Sequence, residues 1–177
     1  EDAISSNIYF EASDTDVNFS IDDIVITGKS KPSVTSISPE SETFEYNFSF
    51  EEDLNNWKPR GTPVLERSST FSHDGQYSLF TSNRTKTWMA PMVNISSMIK
   101  PNTRYEYSAY VMYNGKEYEE THVFLLEIQY NYDGKEEYIE IASKEFQKGT
   151  WSKISGELIV PPGAIDIHLF IQTANGD

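Results

Sequence analysis

A short polar segment holds the residue types best suited to recognising a flat ligand. It runs Asn83-Arg84-Thr85-Lys86-Thr87-Trp88-Met89-Ala90-Pro91. An indole offers a large rigid apolar face, and a guanidinium offers a planar set of N–H donors. This pairing suits a sugar ring, which has an apolar C–H face and a rim of hydroxyl groups. The alternative is a Trp88 buried in the core beside a surface arginine, since tryptophan is usually well buried.

The composition excludes several classes of partner and chemistry. Among 177 residues, 28 are acidic and 14 are basic, which gives a net charge of −14. We therefore expect no nucleic acid partner and no membrane partner, whereas calcium and neutral polysaccharides are compatible with an acidic surface. The absence of cysteine excludes disulfides, thiolate catalysis and cysteine-based zinc sites. No apolar run reaches the length of a membrane-spanning helix.

Catalytic motifs are absent from the sequence. It contains no nucleophile elbow, no HExxH motif and no phosphate-binding loop. With 28 acidic residues, some pair of carboxylates will reach glycosidase separation by chance, so a jelly-roll lyase or hydrolase stays as an alternative function. The three histidines are isolated from one another and favour no zinc site.

Alternation of apolar and polar residues predicts an all-β fold. Strands are predicted at 7–11, 17–26, 61–67, 77–81, 92–95, 105–112, 121–132, 137–141, 150–160 and 165–173. Asp133-Gly134 predicts a tight hairpin turn. Since no amphipathic helix is indicated and turn residues separate many short strands, we expect a β-sandwich of the jelly-roll type.

The residues that carry a family resemblance are spread over 44–177. They are Phe50-Glu51 with Trp57, Arg60-Gly61, His73 to Leu79, Arg84-Thr85 with Trp88, Pro101 to Tyr105, Gly149 to Trp151 and Pro161-Pro162-Gly163. In these positions the chain resembles a family 22 carbohydrate-binding module, the xylan-binding β-sandwich of many bacterial endoxylanases. The resemblance implies a secreted, non-catalytic module that binds xylan or a related β-glycan and is joined to a catalytic glycoside hydrolase domain.

One part of this resemblance is out of order along the chain. The family's final strand reads like Phe19-Ser20-Ile21-Asp22-Asp23, which here precedes the domain. Residues 1–28 are therefore interpreted as the last hairpin of a preceding module or as a permuted last strand, with 29–43 as a linker. We hypothesise that 16–27 dock as the missing strand, in the same chain or by strand exchange with a neighbouring chain. A chain that begins at Glu1 without methionine also suggests a segment of a larger protein.

The resemblance also implies which residues bind sugar. The family's arginine, tryptophan and tyrosine fall on Arg60, Trp88 and Tyr130. Its Tyr-x-Glu pair falls on Phe170 and Gln172, and a second copy of that pattern is Tyr9 and Glu11. Phe170 lacks the hydroxyl and Gln172 lacks the charge, so the alternative function is a stabilising or spacer domain that no longer binds glycan. Arg84 is expected to brace the structure.

A structural calcium ion is also implied by the resemblance. Glu51 and Asp22 match the family's carboxylate ligands, and the turn from His73 to Gly75 would supply backbone carbonyls. Calcium binds six to eight oxygen atoms of this kind. The alternative is that Glu51 and Asp22 are solvated surface acids.

Overall fold

A computed structural model of the chain describes residues 17–29, 43–114 and 120–174, which form two antiparallel β-sheets. The eleven strands of the described residues are β1 (Asn18–Lys29), β2 (Thr43–Phe48), β3 (Lys58–Arg60), β4 (Val64–Ser68), β5 (Ser78–Ser82), β6 (Ala90–Asn94), β7 (Arg104–Asn114), β8 (Thr121–Tyr132), β9 (Lys135–Gln147), β10 (Ser152–Ile159) and β11 (Ile165–Thr173). The all-β prediction is confirmed. The described residues contain no helix that could cross a membrane.

The first sheet is built around β1. Its order is β10-β7-β1-β5-β4, and β2 pairs with the second half of β1. β1 is antiparallel to β7 on one side and to β5 on the other. The segment that resembles a final strand thus lies inside the sheet of its own chain. Residues 30–42, most of the predicted linker, lie outside the described part of the chain.

The second sheet has the order β3-β6-β11-β8-β9. Its inner face and that of the first sheet enclose an apolar core, because alternate residues of each strand point to one face. The largest fully buried apolar side chains in this core include Phe19, Tyr107, Tyr113 and Phe124. The outer face of the second sheet carries Arg60, Phe170 and Gln172, three of the residues that the sequence analysis singled out.

A bulge in β1 explains why the pattern Ile21-Asp22-Asp23-Ile24 is not a simple alternation. The pairing of β1 with β7 shifts between Asp22 and Val25, and Asp23 has a φ of 45°. The extra residue lets Ile21 and Ile24 both point into the core, and it leaves Asp22 fully buried.

The β8–β9 hairpin follows the prediction from Asp133-Gly134. Both turn residues have positive φ, 50° and 72°, and Tyr132 pairs with Lys135 across a two-residue turn. This geometry matches the right-handed twist of the two strands. Two short strands, β2 and β3, were not predicted.

Candidate functional site

The outer face of the second sheet carries an arginine that is held by three contacts. Arg60 is the last residue of β3. Its Nη1 donates to the backbone oxygen of Trp88 at 2.9 Å and to Oε1 of Gln172 at 3.0 Å. Its guanidinium carbon lies 4.5 Å from the centroid of the Phe170 ring. These contacts hold the guanidinium above β11, the central strand of the sheet.

Two exposed aromatic rings lie beside this guanidinium. Trp88 is 44% exposed and Tyr138 is 48% exposed. Their ring centroids lie 5.7 Å and 5.4 Å from the Arg60 guanidinium carbon. Two apolar ring faces next to a planar group of donors can stack on sugar rings and bond their hydroxyl groups. We call Arg60, Trp88, Tyr138, Phe170 and Gln172 the Arg60 cluster.

The position of Trp88 depends on a glycine that follows Arg60. A Cβ atom on residue 61 would lie 2.7 Å from Cζ3 of Trp88, and Gly61 has a φ of 81°. The close approach and the left-handed conformation both favour glycine. The sequence Arg60-Gly61 therefore places the guanidinium and the indole together.

Phe170 and Gln172 form the floor beneath Arg60. On β11, Leu169 and Ile171 belong to the core between the sheets, so the alternate residues Phe170 and Gln172 face outward. Phe170 is nevertheless 0% exposed, because Arg60 covers it. Its ring thus supports the guanidinium and is not itself an open surface for stacking, which corrects the role expected from the sequence.

Acidic side chains lie on the same face, on β8 and β9. Glu127 is in register with Phe170 on one side and with Glu140 on the other. Burial raises the pKa of the Glu127 carboxyl, the charge of Arg60 opposes this rise, and Glu140 adds to it. On β9, Tyr138 donates its hydroxyl to Glu136, and Gln129 also donates to Glu136.

Tyr130 is not part of this face, contrary to the sequence-based assignment. It is 4% exposed and belongs to the core with Phe124, Leu126 and Ile128, which alternate along β8. Tyr138 occupies the aromatic position beside Arg60 instead. The position of the Asp133-Gly134 turn could have identified Tyr138. A two-residue turn there pairs Tyr132 with Lys135, and continuing along the hairpin pairs Gln129 with Tyr138 on the outer face. Tyr9 and Glu11 lie outside the described residues.

Arg84, four residues before Trp88, braces the structure as predicted. It is 1% exposed. Its guanidinium donates to the backbone oxygens of Met89 at 2.6 Å, Val17 at 2.9 Å and Thr87 at 2.6 Å, and to Oγ1 of Thr173 at 2.8 Å. Burial lowers its pKa to about 10, so it stays charged at neutral pH. It ties the Trp88 segment to β11 and to the residue that precedes β1.

The four residues expected at a metal site meet around one loop. Oδ2 of Asp22 accepts from the backbone N–H groups of His73 at 2.9 Å and Asp74 at 3.4 Å. Oε1 of Glu51 accepts from those of Gln76 at 3.0 Å and Tyr77 at 2.9 Å. A Cβ on Gly75 would lie 2.5 Å from the same Glu51 oxygen. Two carboxylates thus hold opposite ends of the 73–77 loop.

The carboxylate oxygens of Asp22 and Glu51 are ligands of the kind that a hard cation such as calcium prefers. Burial raises the pKa of Asp22 to about 6, which is the expected result when a buried carboxylate lacks a neutralising partner. No group of three or more histidine, cysteine or acidic side chains suited to a metal occurs in the described part of the chain. Calcium at Asp22 and Glu51 would therefore need backbone carbonyls, such as those of His73 and Gly75, and water as its other ligands.

Known proteins resemble this chain in both sequence and fold. A family model described as a carbohydrate binding domain matches residues 44–176. The chain belongs to this family. A carbohydrate-binding domain of this kind binds its ligand without catalysis, in agreement with the sequence-based expectation. The match begins after β1, although β1 is the central strand of the first sheet.

The relatives are xylanases and xylan-binding domains. Endo-1,4-beta-xylanase A of Thermotoga maritima is 32% identical over 132 residues, which is 73% of this chain and 12% of that enzyme. The CBM22-2 xylan-binding domain of Paenibacillus barcinonensis Xyn10C is 29% identical, with a TM-score of 0.67 over 72% of this chain and 83% of that domain. A second xylan-binding domain, from CBM 22, has the same fold, with a TM-score of 0.68 at 23% identity and coverage of 74% of this chain and 85% of that one.

Proposed function

We propose that the Arg60 cluster binds a xylan chain and that this domain delivers an attached xylanase to its substrate. The observation that carries the proposal is the pair of exposed rings, Trp88 and Tyr138, beside a held guanidinium. The names of a 32% identical xylanase and of a 29% identical xylan-binding domain support xylan as the ligand.

The proposed binding mode combines stacking with hydrogen bonds. Xylose rings lie on the indole of Trp88 and the phenol of Tyr138, because each ring offers an apolar C–H face. A guanidinium has five N–H donors, more than the bonds from Arg60 to Trp88 and Gln172 use, so Arg60 also donates to sugar hydroxyl groups. An uncharged xylan backbone is not repelled by a protein whose net charge is −14.

Affinity electrophoresis in soluble xylan tests this proposal, with mixed-linkage β-glucan as the comparison polymer. We expect xylan to retard the wild-type protein, and we expect Trp88→Ala and Tyr138→Ala each to remove most of the retardation. Tyr132→Ala is the matched control, because Tyr132 is 43% exposed but lies at the β8–β9 turn, outside the Arg60 cluster. Retardation that persists in Trp88→Ala and Tyr138→Ala would refute the proposed site.

A second candidate function is a spacer domain that binds no glycan. Two observations favour it. Phe170 is fully covered, and the Gln172 oxygen already accepts a hydrogen bond from Arg60. In this case neither polymer would retard the wild-type protein.

We propose three further properties that are expected of a xylan-binding domain attached to a secreted xylanase. Calcium stabilises the 73–77 loop through Glu51 and Asp22, the two carboxylates that already hold it. The protein that contains this domain is secreted by a bacterium, because xylan is an extracellular polymer.

β1 completes the sheet of its own chain, whereas strand exchange would form the same pairs with β5 and β7 of a second copy. Size-exclusion chromatography distinguishes the monomer from such a dimer.

A further inference from the structure

A carboxylate beside the Arg60 cluster lacks a hydrogen-bond donor. Oε2 of Glu127 is buried, and no N–H or O–H group in the described residues donates to it. Buried carboxylate oxygens nearly always accept hydrogen bonds, because losing those of water without replacement is unfavourable. An oxygen without a donor beside the Arg60 cluster can accept a hydrogen bond from a ligand on this face.

The neighbouring polar groups do not supply this donor. Nη1 of Arg60 is directed to Trp88 and Gln172, and Arg60 acts on Glu127 through its charge alone. The residue in register on β11 is Phe170, which has no polar atom, and the one on β9 is Glu140, which is itself a carboxylate. The Gln172 amide oxygen is a neutral acceptor that Arg60 already uses. Glu127 is thus a charged acceptor next to the floor of the Arg60 cluster.

A ligand on this face can reach the Glu127 carboxylate. Glu127 is partly exposed as a residue, although its Oε2 is covered. The last torsion of a glutamate side chain is broad, so a modest rotation can turn the covered oxygen toward the exposed side of the residue. A sugar hydroxyl that lies between Arg60 and β8 can therefore donate to the carboxylate while it accepts from the guanidinium.

We propose that Glu127 is a ligand-binding residue that accepts a hydrogen bond from a hydroxyl group of the bound sugar chain. This inference rests on the proposed function and adds a contact to it. A carboxylate accepts hydrogen bonds more strongly than an amide does. Glu127 therefore provides the charged contact that Gln172 does not.

The proposal makes glycan binding sensitive to pH. Burial raises the pKa of Glu127, so this carboxyl takes up a proton at a higher pH than an ordinary glutamate. Affinity is highest when Glu127 is ionised and declines as the pH falls. The other titratable groups on this face include Arg60 and Lys58 from β3, Asp166 and His168 from β11, and Glu136, Tyr138, Glu140 and Glu145 from β9.

Calorimetric titration with xylohexaose at about pH 7.5 and about pH 5 tests this proposal. We expect the wild-type affinity to fall severalfold at the lower pH. Glu127→Gln should weaken binding about tenfold at the higher pH and should show little further loss on acidification. Glu127→Asp, which keeps the charge but shortens the reach, should weaken binding less than Glu127→Gln does.

Two matched variants separate this role from a general effect of charge. Glu140→Gln removes one negative charge from the adjacent strand and should keep the affinity within about twofold of wild type. His168→Gln should leave the pH dependence in place. A folded Glu127→Gln protein that binds xylohexaose as tightly as wild type, with the same pH dependence, would overturn the proposal. Absence of binding by the wild-type protein would instead refute the proposed function itself.

Discussion

Arg60 and Arg84 have opposite surroundings, although both are joined to the Trp88 segment. Arg84 is 1% exposed, and four oxygen acceptors from different parts of the chain surround its guanidinium. Arg60 is only partly buried and lies among three aromatic rings. The first environment satisfies the donors internally and contributes to stability, whereas the second leaves donors for a ligand.

Replacing Arg84 tests its structural role. We expect Arg84→Met to lower the free energy of unfolding by about 3–5 kcal/mol, because buried acceptors lose their donor. Urea denaturation followed by tryptophan fluorescence measures this change.

The matched control for this experiment is Arg104→Met. Arg104 pairs with Glu157 at 2.8 Å, but both side chains are more than half exposed, 66% and 56%. Surface pairs of this kind contribute about 1 kcal/mol or less. An Arg84→Met protein whose stability is as close to wild type as that of Arg104→Met would contradict the bracing role.

At the scale of elements, the end of β3 positions the Arg60 cluster through Gly61. We expect Gly61→Ala to displace the Trp88 ring, since its Cβ would lie 2.7 Å from that ring. The loss of stability should be about 1–2 kcal/mol because φ is also positive. Xylan retardation should fall sharply, as measured by affinity electrophoresis together with thermal unfolding.

Gly149→Ala is the control, because it strains the backbone at a positive φ without displacing any neighbouring side chain. Gly149 has a φ of 69°, but no atom lies within 4 Å of the position its Cβ would take. Stability should fall by a similar amount while xylan binding stays unchanged. Normal xylan binding by Gly61→Ala would show that Gly61 does not position Trp88.

The sequence predicts strands better than it predicts which face a strand presents. The Asp133-Gly134 turn and the alternation in β8 predicted the hairpin, because turn chemistry is local. The assignment of Tyr130 to the sugar-binding face came from the family resemblance alone, and the structure places its side chain in the core, since a shift of one residue along a strand reverses the face that a side chain presents. Burial of Phe170 under Arg60 joins residues 110 positions apart, so no local pattern indicates it.

At the scale of the whole molecule, the loop at residues 73–77 links parts of the fold that are distant in sequence. Asp22 comes from the bulge in β1, and Glu51 follows β2. Without a cation, the raised pKa of Asp22 means that the folded state favours its protonated form. The stability that this group contributes is complete below about pH 4 and declines as the pH rises through about 6. A bound cation would oppose this loss at neutral pH.

Calcium should therefore raise the thermal stability at neutral pH. At a concentration of one hundred times its dissociation constant, we expect a gain of about 2.7 kcal/mol over protein treated with a chelator. Glu51→Gln should abolish most of this gain while still accepting the backbone N–H groups of Gln76 and Tyr77. The exposed neighbour variant Glu52→Gln should keep the gain. Equal melting temperatures with calcium and with chelator would contradict the calcium proposal.

The most direct test of the xylan-binding site is a titration of the ¹⁵N-labelled protein with xylohexaose, followed by NMR chemical shifts. We predict that the largest changes occur at the Trp88 indole N–H, the Arg60 side chain, the Gln172 amide and the backbone around Tyr138. Residues of the first sheet, and Trp151 beside His73, should be unaffected. Saturable changes confined to that opposite sheet, or none at millimolar ligand, would contradict the proposal that the Arg60 cluster binds xylan.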